Sequence, residues 1–479
     1  MHRHSSAIYA TLWSFIERFS TQIISFLIGI VLARLLSPDD YGVVGLTTIF
    51  ISISNVFIDS GFANGLIRKI DRTEKDLSTA FIFNIIIGVI AYIILWILSP
   101  YIAKYFDEPL LKILIKIVGL NVLFNSFCIV QTAILTAKLD VRGQTFINLL
   151  TLLPAGILAI CLAYHNYGLY ALVYQTICAS FLRVVLIWIY TKWKPSARFS
   201  YESFKYLWSF GSKLLCANLI GTIFNEIYTI LIGKYIGKRD LGFYAKSSSL
   251  NAQVDSIFSG IIQKIALPIL SKYQFNSIEL FVRYREFLCY LVLILSPLIA
   301  ILFAISEDVI VLLWSEKWKP CVIIFQLLII GTIFNPLSNL SLSLLQVLGK
   351  THVILKLEFP KKTIYCIFIL IGFYYGLIGL VTARVFVNIT GAFINIWVTK
   401  KYINYSYKSQ IIDIFKYIIL AFLVTILSMS LINFINPILN ILCQMIIIPS
   451  LYLILLFFFK DEMLISLYIY VKGIFKMKS

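Results

Sequence analysis

About fourteen long apolar runs dominate this sequence, and a membrane-spanning helix needs roughly 20 apolar residues. Hydrophobic residues make up 60% of the 479 residues and charged residues only 13%, whereas soluble domains are about 45–50% apolar and about 25% charged. An ordinary soluble enzyme and a disordered chain are both excluded. The sequence predicts an all-α integral membrane protein with about 14 transmembrane helices, at residues 11–33, 42–65, 78–99, 110–135, 144–164, 168–190, 206–232, 242–266, 286–306, 321–347, 363–376, 378–399, 412–434 and 438–459.

The distribution of basic residues predicts the orientation of these spans. The chain has 41 Lys and Arg residues against 23 Asp and Glu residues, a net charge of +18. With the N-terminus inside, alternate loops carry about three times as many Lys and Arg residues as the loops between them, which is typical of cytoplasmic loops. Both termini are therefore predicted to be cytoplasmic. The excess Lys and Arg residues do not form a basic stripe of the kind that binds nucleic acid, so no nucleic-acid partner is expected.

An internal duplication divides the chain. Each copy holds six spans, an even number, so both copies enter the membrane from the same side, as parallel repeats do. We expect two six-helix lobes, 1–200 and 201–405, related by a pseudo-two-fold axis along the membrane normal. Spans 13 and 14 and a cytoplasmic tail follow at 406–479. Repeats of this type hold a substrate site between the lobes near the midplane. The recurring segments are 12–15 and 207–210 (both LWSF), 34–42 (RLLSPDDYG) and 234–242 (KYIGKRDLG), and 167–173 (YGLYALV) and 375–381 (YGLIGLV).

Two intramembrane cations occupy equivalent positions in the two copies. Arg18 lies six residues after Leu12, and Lys213 lies six residues after Leu207. A charge at the bilayer centre costs ~2.5–3.5 kcal/mol on insertion scales, so each one needs a reason. One interpretation is that both cations face a central cavity and bind an anionic group such as a diphosphate. The other is that both extend toward the cytoplasmic headgroups.

Other charged residues within spans are candidates for ion coupling. Glu17, Glu226 and Asp255 are each able to carry a coupling proton or sodium ion, or to form a local ion pair instead. Arg384 lies near the outer end of span 12, where it is a candidate to line an outward-facing cavity. These acids and this cation extend the set of candidate site residues beyond the duplicated pair.

The asparagines, cysteines and histidines of the chain do not form a recognisable catalytic or metal-binding motif. The amides of Asn335 and Asn339 on span 10 suit sugar hydroxyls, or they join helices. The eight cysteines form no C-x-x-C pair and the four histidines lack ligand spacing, so neither a metal site nor a cofactor is predicted. No nucleotide-binding or hydrolase motif is present, so the chain is not expected to be an enzyme.

Residues 33–42 (ARLLSPDDYG) and 59–68 (DSGFANGLIR) resemble the bacterial polysaccharide transporter family, the O-antigen flippases of the multidrug/oligosaccharidyl-lipid/polysaccharide exporter superfamily. The resemblance extends to the six-plus-six duplication and the two extra C-terminal spans. It implies an inner-membrane flippase that moves an undecaprenyl-diphosphate-linked oligosaccharide to the periplasmic leaflet, for O-antigen, capsule or exopolysaccharide synthesis. Alternating access of a cationic cavity is the implied mechanism, and the polymerase and chain-length proteins of the pathway are implied partners.

One departure from related proteins bears on the substrate. Lipid II flippases carry an arginine–aspartate pair midway along span 1, where this chain has the uncharged segment 26–29 (FLIG). The departure disfavours a peptidoglycan precursor. Two alternative functions stay open: a multidrug or cation antiporter of the same superfamily, and a membrane-embedded polysaccharide polymerase.

Overall fold

Helices account for all the regular secondary structure in the described part of the chain, which is residues 2–69, 71–196, 198–431, 436–467 and 469 of the computed structural model. The side chains of residues 2–18, 261, 263, 264, 351 and 355 are outside the description. The helices are α1 (His2–Leu35), α2 (Pro38–Asp59), α3 (Phe62–Arg68), α4 (Glu74–Tyr105), α5 (Leu111–Val118), α6 (Leu120–Ser126), α7 (Ile129–Ala137), α8 (Val141–Tyr164), α9 (Tyr170–Thr191), α10 (Tyr201–Leu231), α11 (Lys238–Lys272), α12 (Ser277–Ala304), α13 (Ser306–Trp314), α14 (Cys321–Thr332), α15 (Phe334–Val347), α16 (Thr351–Tyr374), α17 (Gly376–Thr399), α18 (Tyr407–Leu431) and α19 (Pro437–Phe458).

Every predicted span overlaps at least one helix, and some predicted spans are divided into two or three helices. Within the described residues, 11 helices are long and apolar enough to cross a membrane, and the bent pair 111–126 and 129–137 raises the number to as many as 12. Helix α1 overlaps predicted span 1, and helix α16 overlaps predicted span 11 but begins well before it; neither is among these 11 helices. The all-helical, multi-span fold class is therefore confirmed, and the total of fourteen spans stays a prediction.

The chain divides into two compact units, residues 1–245 and 246–479. In unit 1, α10 packs against α2 and α3, and α8 packs against α1 and α9. In unit 2, α17 packs against α14, α15 and α16, while α12 packs against α18 and α19. The predicted domain boundaries after residues 200 and 405 stay predictions.

The motif at residues 34–42 builds the start of α2. The Ser37 hydroxyl accepts a hydrogen bond from the backbone N–H of Asp40 at 3.2 Å, and the Asp40 carboxylate accepts one from the Ser37 backbone at 2.9 Å. This capping box, with Pro38 as the first helical residue, satisfies N–H groups that a helix start otherwise leaves unpaired. The motif thus ends α1 and starts α2 within a few residues.

The duplicated copy of this motif lies directly against the first. A methyl group on Gly42 would lie 1.8 Å from the carbonyl oxygen of Lys238, and one on Gly242 would lie 1.9 Å from that of Pro38. The first turns of α2 and α11 therefore touch backbone to backbone, and only glycine permits this approach. The repeat found in the sequence is a mutual contact within unit 1.

Several predicted single spans are interrupted helices. α2 ends at Asp59 because Ser60 and Gly61 adopt left-handed conformations, with φ of 44° and 69°. A methyl group on Gly211 of α10 would lie 2.4 Å from the Ser60 carbonyl oxygen, so α10 packs closely on this break. Predicted span 4 is divided into α5, α6 and α7, with a 40° bend before Ile129. Breaks of this kind are tolerated in membranes where neighbouring protein or a water-filled cavity satisfies the backbone.

The C-terminal helices are fastened to unit 2 by an ion pair. Arg285 of α12 contacts Asp413 of α18, with Nε and Oδ2 separated by 2.8 Å, and Tyr405 donates a hydrogen bond to the same carboxylate. The Tyr452 hydroxyl of α19 donates to the Leu293 carbonyl oxygen at 3.3 Å. Spans 13 and 14 thus pack on α12.

Candidate functional site

A polar cavity of about 480 Å³ lies between α2 and α10 in unit 1. Its polar lining comes from two helix faces, because residues four or seven apart share one face of a helix. Three uncharged residues, Val56, Ala217 and Gly221, complete the wall. We call this space the α2–α10 cavity, and its polar residues are Asn55, Asp59, Asn218, Thr222 and Asn225.

Asp59 is the charged residue of the α2–α10 cavity. It is the last residue of α2, at the helix break, and its carboxylate accepts a hydrogen bond from the Ala63 backbone. Its Oδ1 atom is buried and receives no hydrogen bond from any described residue. A buried carboxylate oxygen without a donor is costly. Asp59 therefore has unused capacity to accept a hydrogen bond.

A second row of polar residues, also in unit 1, begins at Asn55 of this cavity. The Asn125 amide donates to Asn55 Oδ1 at 3.1 Å, and the Asn121 amide donates to the Thr176 hydroxyl at 3.3 Å. Both asparagines line a further cavity of about 300 Å³ next to α2. We call these residues, with Asp59, the unit 1 seam.

Unit 2 contains a comparable seam along α11. Its polar residues Ser248, Asn251, Asp255 and Ser259 are spaced by three or four positions, which places them on one helix face. Asn251 accepts a hydrogen bond from the Thr332 hydroxyl at 2.7 Å. The face is thus held by partners on neighbouring helices.

The two charged residues at the unit 2 seam, Asp255 and Arg384, both have hydrogen-bonding partners. The Asp255 carboxylate accepts hydrogen bonds from Ser259, at 3.2 Å, and from the Asn335 amide. Asn339 donates to Ser259 at 3.2 Å. Arg384 of α17 donates to Ser248 at 3.2 Å and lies close enough to Asp255 to interact with its charge. Four residues that the sequence singled out, Asp255, Asn335, Asn339 and Arg384, therefore meet in one cluster.

The remaining candidate residues lie elsewhere. Lys213 and Glu226 are on α10 in unit 1; the Lys213 side chain is exposed and Glu226 is half-buried next to Asn225. Lys213 lies one helical turn before Ala217 of the α2–α10 cavity, on the same face. The side chains of Glu17 and Arg18 lie outside the described residues, so the facing of Arg18 and Lys213 stays a prediction.

Asp59 and Asn55 were not selected from the sequence, although the duplication points to them. The offset of 200 residues that relates the two RLLSPDDYG-like segments places Asn55 opposite Asp255 and Asp59 opposite Ser259. The offset of 208 residues places Thr176 opposite Arg384. Projecting Asp255 back onto the first copy is therefore the signal that finds the unit 1 seam.

Comparison with known proteins places the chain in a family. The model of a family described as polysaccharide biosynthesis proteins matches residues 31–323. The chain belongs to this family. The match spans both copies of the RLLSPDDYG-like segment and both seams on α2 and α11, and it confirms the resemblance that the sequence motifs carried.

Individual proteins with similar sequences are named for polysaccharide biosynthesis. The chain is 28% identical over 307 residues to the teichuronic acid biosynthesis protein TuaB of Bacillus subtilis (strain 168). These aligned residues cover 63% of this chain and 62% of TuaB. It is 22% identical over 389 residues to the lipopolysaccharide biosynthesis protein WzxC of Escherichia coli (strain K12), and the alignment covers 80% of this chain and 79% of WzxC.

The solved structure of lipid II flippase MurJ, in an inward closed conformation, shares the fold. It superposes with a TM-score of 0.72 at 18% sequence identity, over 94% of this chain and 99% of MurJ. The polysaccharide biosynthesis family member described here is thus a multi-pass membrane protein with the MurJ architecture.

Proposed function

We propose that this chain is a flippase that transfers an undecaprenyl-diphosphate-linked oligosaccharide from the cytoplasmic to the periplasmic leaflet of the bacterial inner membrane. The observation that carries the proposal is the family match over residues 31–323, together with relatives named for teichuronic acid and lipopolysaccharide biosynthesis. The loop charges support the orientation, with both termini cytoplasmic.

The seams supply what such a transfer requires. A hydrophilic glycan must exchange its water for hydrogen-bonding groups while it crosses the hydrocarbon core, because unpaired polar groups there are costly. The unit 1 seam and the α2–α10 cavity present amides, hydroxyls and one carboxylate at membrane depth. The lipid tail has no such requirement and stays in the bilayer. Lys213, on the same face of α10 and one turn away, supplies a cation for the diphosphate, and Arg18 is its proposed counterpart.

Asp255 is the acid that we propose for ion coupling. It is half-buried, accepts hydrogen bonds from Ser259 and Asn335, and lies close enough to Arg384 to interact with its charge. Uptake of a proton or sodium ion would weaken that interaction and change which helices Arg384 contacts. Glu17 and Glu226 are alternative coupling residues, and the polymerase and chain-length proteins of the pathway are proposed partners.

Deletion of the gene in its native host tests the proposal. The flippase predicts loss of surface polysaccharide, with completed lipid-linked repeat units accumulating inside, and restoration by the wild-type gene. Repeat units that reach the surface but remain short would indicate a polymerase. Normal polysaccharide combined with new sensitivity to cationic drugs would indicate a multidrug antiporter.

A further inference from the structure

The α2–α10 cavity has the mixed hydrogen-bonding character that hydroxyl groups need. Asn218 and Asn225 each offer an amide donor and a carbonyl acceptor, and Thr222 offers a hydroxyl that does both. A sugar hydroxyl is itself both donor and acceptor, so it pairs with every member of this set. Asp59 also lines the cavity, and its carboxylate adds an acceptor for a hydroxyl donor.

The volume of the cavity suits a small molecule better than a bare cation. A hard cation needs several oxygen ligands converging at about 2.3–2.6 Å, as calcium does. The cavity measures about 480 Å³, and a methyl group on Gly221 in its wall would meet no atom within 4 Å. That volume falls in the range of about 300–1,000 Å³ that small-molecule sites occupy.

Electrostatics favour a neutral group beside Asp59 and place the diphosphate nearer Lys213, one turn away on α10. Asp59 carries a negative charge, and it lies at the C-terminal end of α2, where the helix dipole is also negative. The only polar groups of the lining besides Asp59, within the residues described, are neutral amides and hydroxyls. A neutral, hydroxyl-bearing group is favoured there and a phosphate is repelled.

We infer that the α2–α10 cavity is a glycan subsite that holds one neutral sugar ring of the lipid-linked oligosaccharide through Asp59, Thr222 and Asn225. The inference rests on the proposed flippase function and adds where the glycan is recognised. The unit 2 seam is not equivalent, because the Asp255 carboxylate is already supplied with donors by Ser259 and Asn335. This subsite is thus assigned to unit 1, and glycan contacts by Asn335 and Asn339 of unit 2 stay a prediction.

Binding of two lipid probes to the purified full-length protein tests the inference. The probes are undecaprenyl diphosphate without sugar and the undecaprenyl-diphosphate-linked repeat unit extracted from the native host. The measured quantity is the ratio of the two Kd values, which cancels general losses of folded protein. For the wild type we expect the glycosylated probe to bind at least about tenfold more tightly, from two or more added hydrogen bonds.

Variants of the lining locate the source of that preference. Thr222→Val keeps the shape and removes only the hydroxyl, and Asp59→Ala and Asn225→Ala remove larger groups. Each is expected to lower the ratio about fivefold or more. Glu202→Gln, on the exposed first turn of α10 and outside the cavity, is the matched control and keeps the wild-type ratio.

The outcomes separate this inference from the flippase proposal. Binding of neither lipid by the wild type would overturn the flippase proposal and the subsite with it. A wild-type ratio near one, or a ratio that survives all three substitutions, would overturn the subsite while leaving the flippase standing. A sodium-dependent shift in apparent Tm that Asp59→Ala abolishes, with the ratio unchanged, would reassign the cavity to a cation.

Discussion

The two polar seams occupy corresponding helices and differ in how completely their acids are paired. In unit 2, Asp255 accepts hydrogen bonds from its own helix and from Asn335, and Arg384 lies close enough to interact with its charge. In unit 1, the position of Asp255 is taken by Asn55 and that of Arg384 by Thr176, while Asp59 one turn later keeps an unpaired oxygen. The comparison teaches that the two units differ in their polar groups: unit 2 holds a charged cluster that pairs with itself, and unit 1 holds a polar surface with capacity to accept a ligand.

The largest effect is expected from removing the charges of the unit 2 seam. Asp255→Asn should lower polysaccharide export by more than tenfold, because the proposed coupling acid is lost. Arg384→Thr should lower export, and it should lower stability by about 1 kcal/mol, because half-buried Asp255 loses a favourable charge interaction and Ser248 loses a hydrogen bond. Export is measured as surface polysaccharide at matched protein level, and stability as thermal unfolding of the purified protein.

The double variant Asp255→Asn with Arg384→Thr sharpens this prediction. It gives unit 2 the residues that unit 1 has at the same positions, and it removes both charges together. We expect it to recover the stability lost in Arg384→Thr but not the export lost in Asp255→Asn. Recovery of both properties would show that the pair is only structural and would contradict the assignment of coupling to Asp255.

The contact between the two copies of the repeated motif should be almost as sensitive. Gly42→Ala and Gly242→Ala should each reduce export by about tenfold, because added methyl groups collide with backbone oxygens and overpacking costs about 1–3 kcal/mol. Gly45→Ala is the matched control on the same helix, since its methyl would meet its nearest neighbour at an ordinary 3.7 Å. Equal export by the Gly42 and Gly45 variants would show that the close contact is not needed.

A smaller effect is expected from the cation beside the α2–α10 cavity. Lys213→Ala should reduce export by about three- to tenfold, because an exposed charge contributes less than a buried one. Combining it with Arg18→Ala should lower export further if both bind the diphosphate. Arg183→Ala, on α9, is the comparison variant. If it impairs export as much as the double variant at equal expression, the diphosphate assignment is wrong.

The smallest expected effect is the contribution of Asp461, just after α19, to the pH dependence of stability. Burial alone would raise the pKa of Asp461, but hydrogen bonds from Lys416, the Leu464 backbone and Tyr417 outweigh it and hold the pKa below its usual value. The stabilisation is present above the unfolded-state pKa of about 3.9 and is lost as pH falls through the lower folded-state value. It amounts to about 1 kcal/mol, because the Lys416 side chain is partly exposed.

Apparent Tm measured between pH 7 and pH 3 checks whether this stabilisation is lost as the pH falls. Asp461→Asn should lower Tm slightly at pH 7 and flatten the decline at the acid end. The same decline in wild type and variant would show that Asp461 adds nothing to the acid sensitivity.

Much of this fold follows from the sequence because a bilayer leaves few solutions. Apolar runs of span length predicted where helices lie, and the S-P-D-D segment marked the turn into α2. The interruptions were harder to foresee. The bend before Ile129 contains no proline, and it depends on tertiary packing, which local residue preferences do not encode. The break at Ser60 depends on the close approach of Gly211, which is distant in the sequence.

The candidate site was predicted directly in unit 2, whereas in unit 1 only the duplication points to Asn55 and Asp59. Asp255 and Arg384 stand out because charges in apolar runs are conspicuous, and the asparagines of span 10 fall at helical spacing from one another. The α2–α10 cavity is built mainly from neutral amides, which single-sequence reasoning cannot distinguish from ordinary helix-joining residues. Only the three-dimensional arrangement shows that Asn225 and Asp59 border the same space.

The leaflet position of the lipid-linked oligosaccharide tests the central claim most directly. In spheroplasts of the deletion strain, a membrane-impermeant oxidant reaches only sugars on the outer leaflet. The flippase account predicts that undecaprenyl-diphosphate-linked repeat units are almost fully protected from oxidation, and that the wild-type gene restores their exposure while Asp255→Asn does not. Repeat units exposed to the same extent in the deletion strain and the wild type would contradict it.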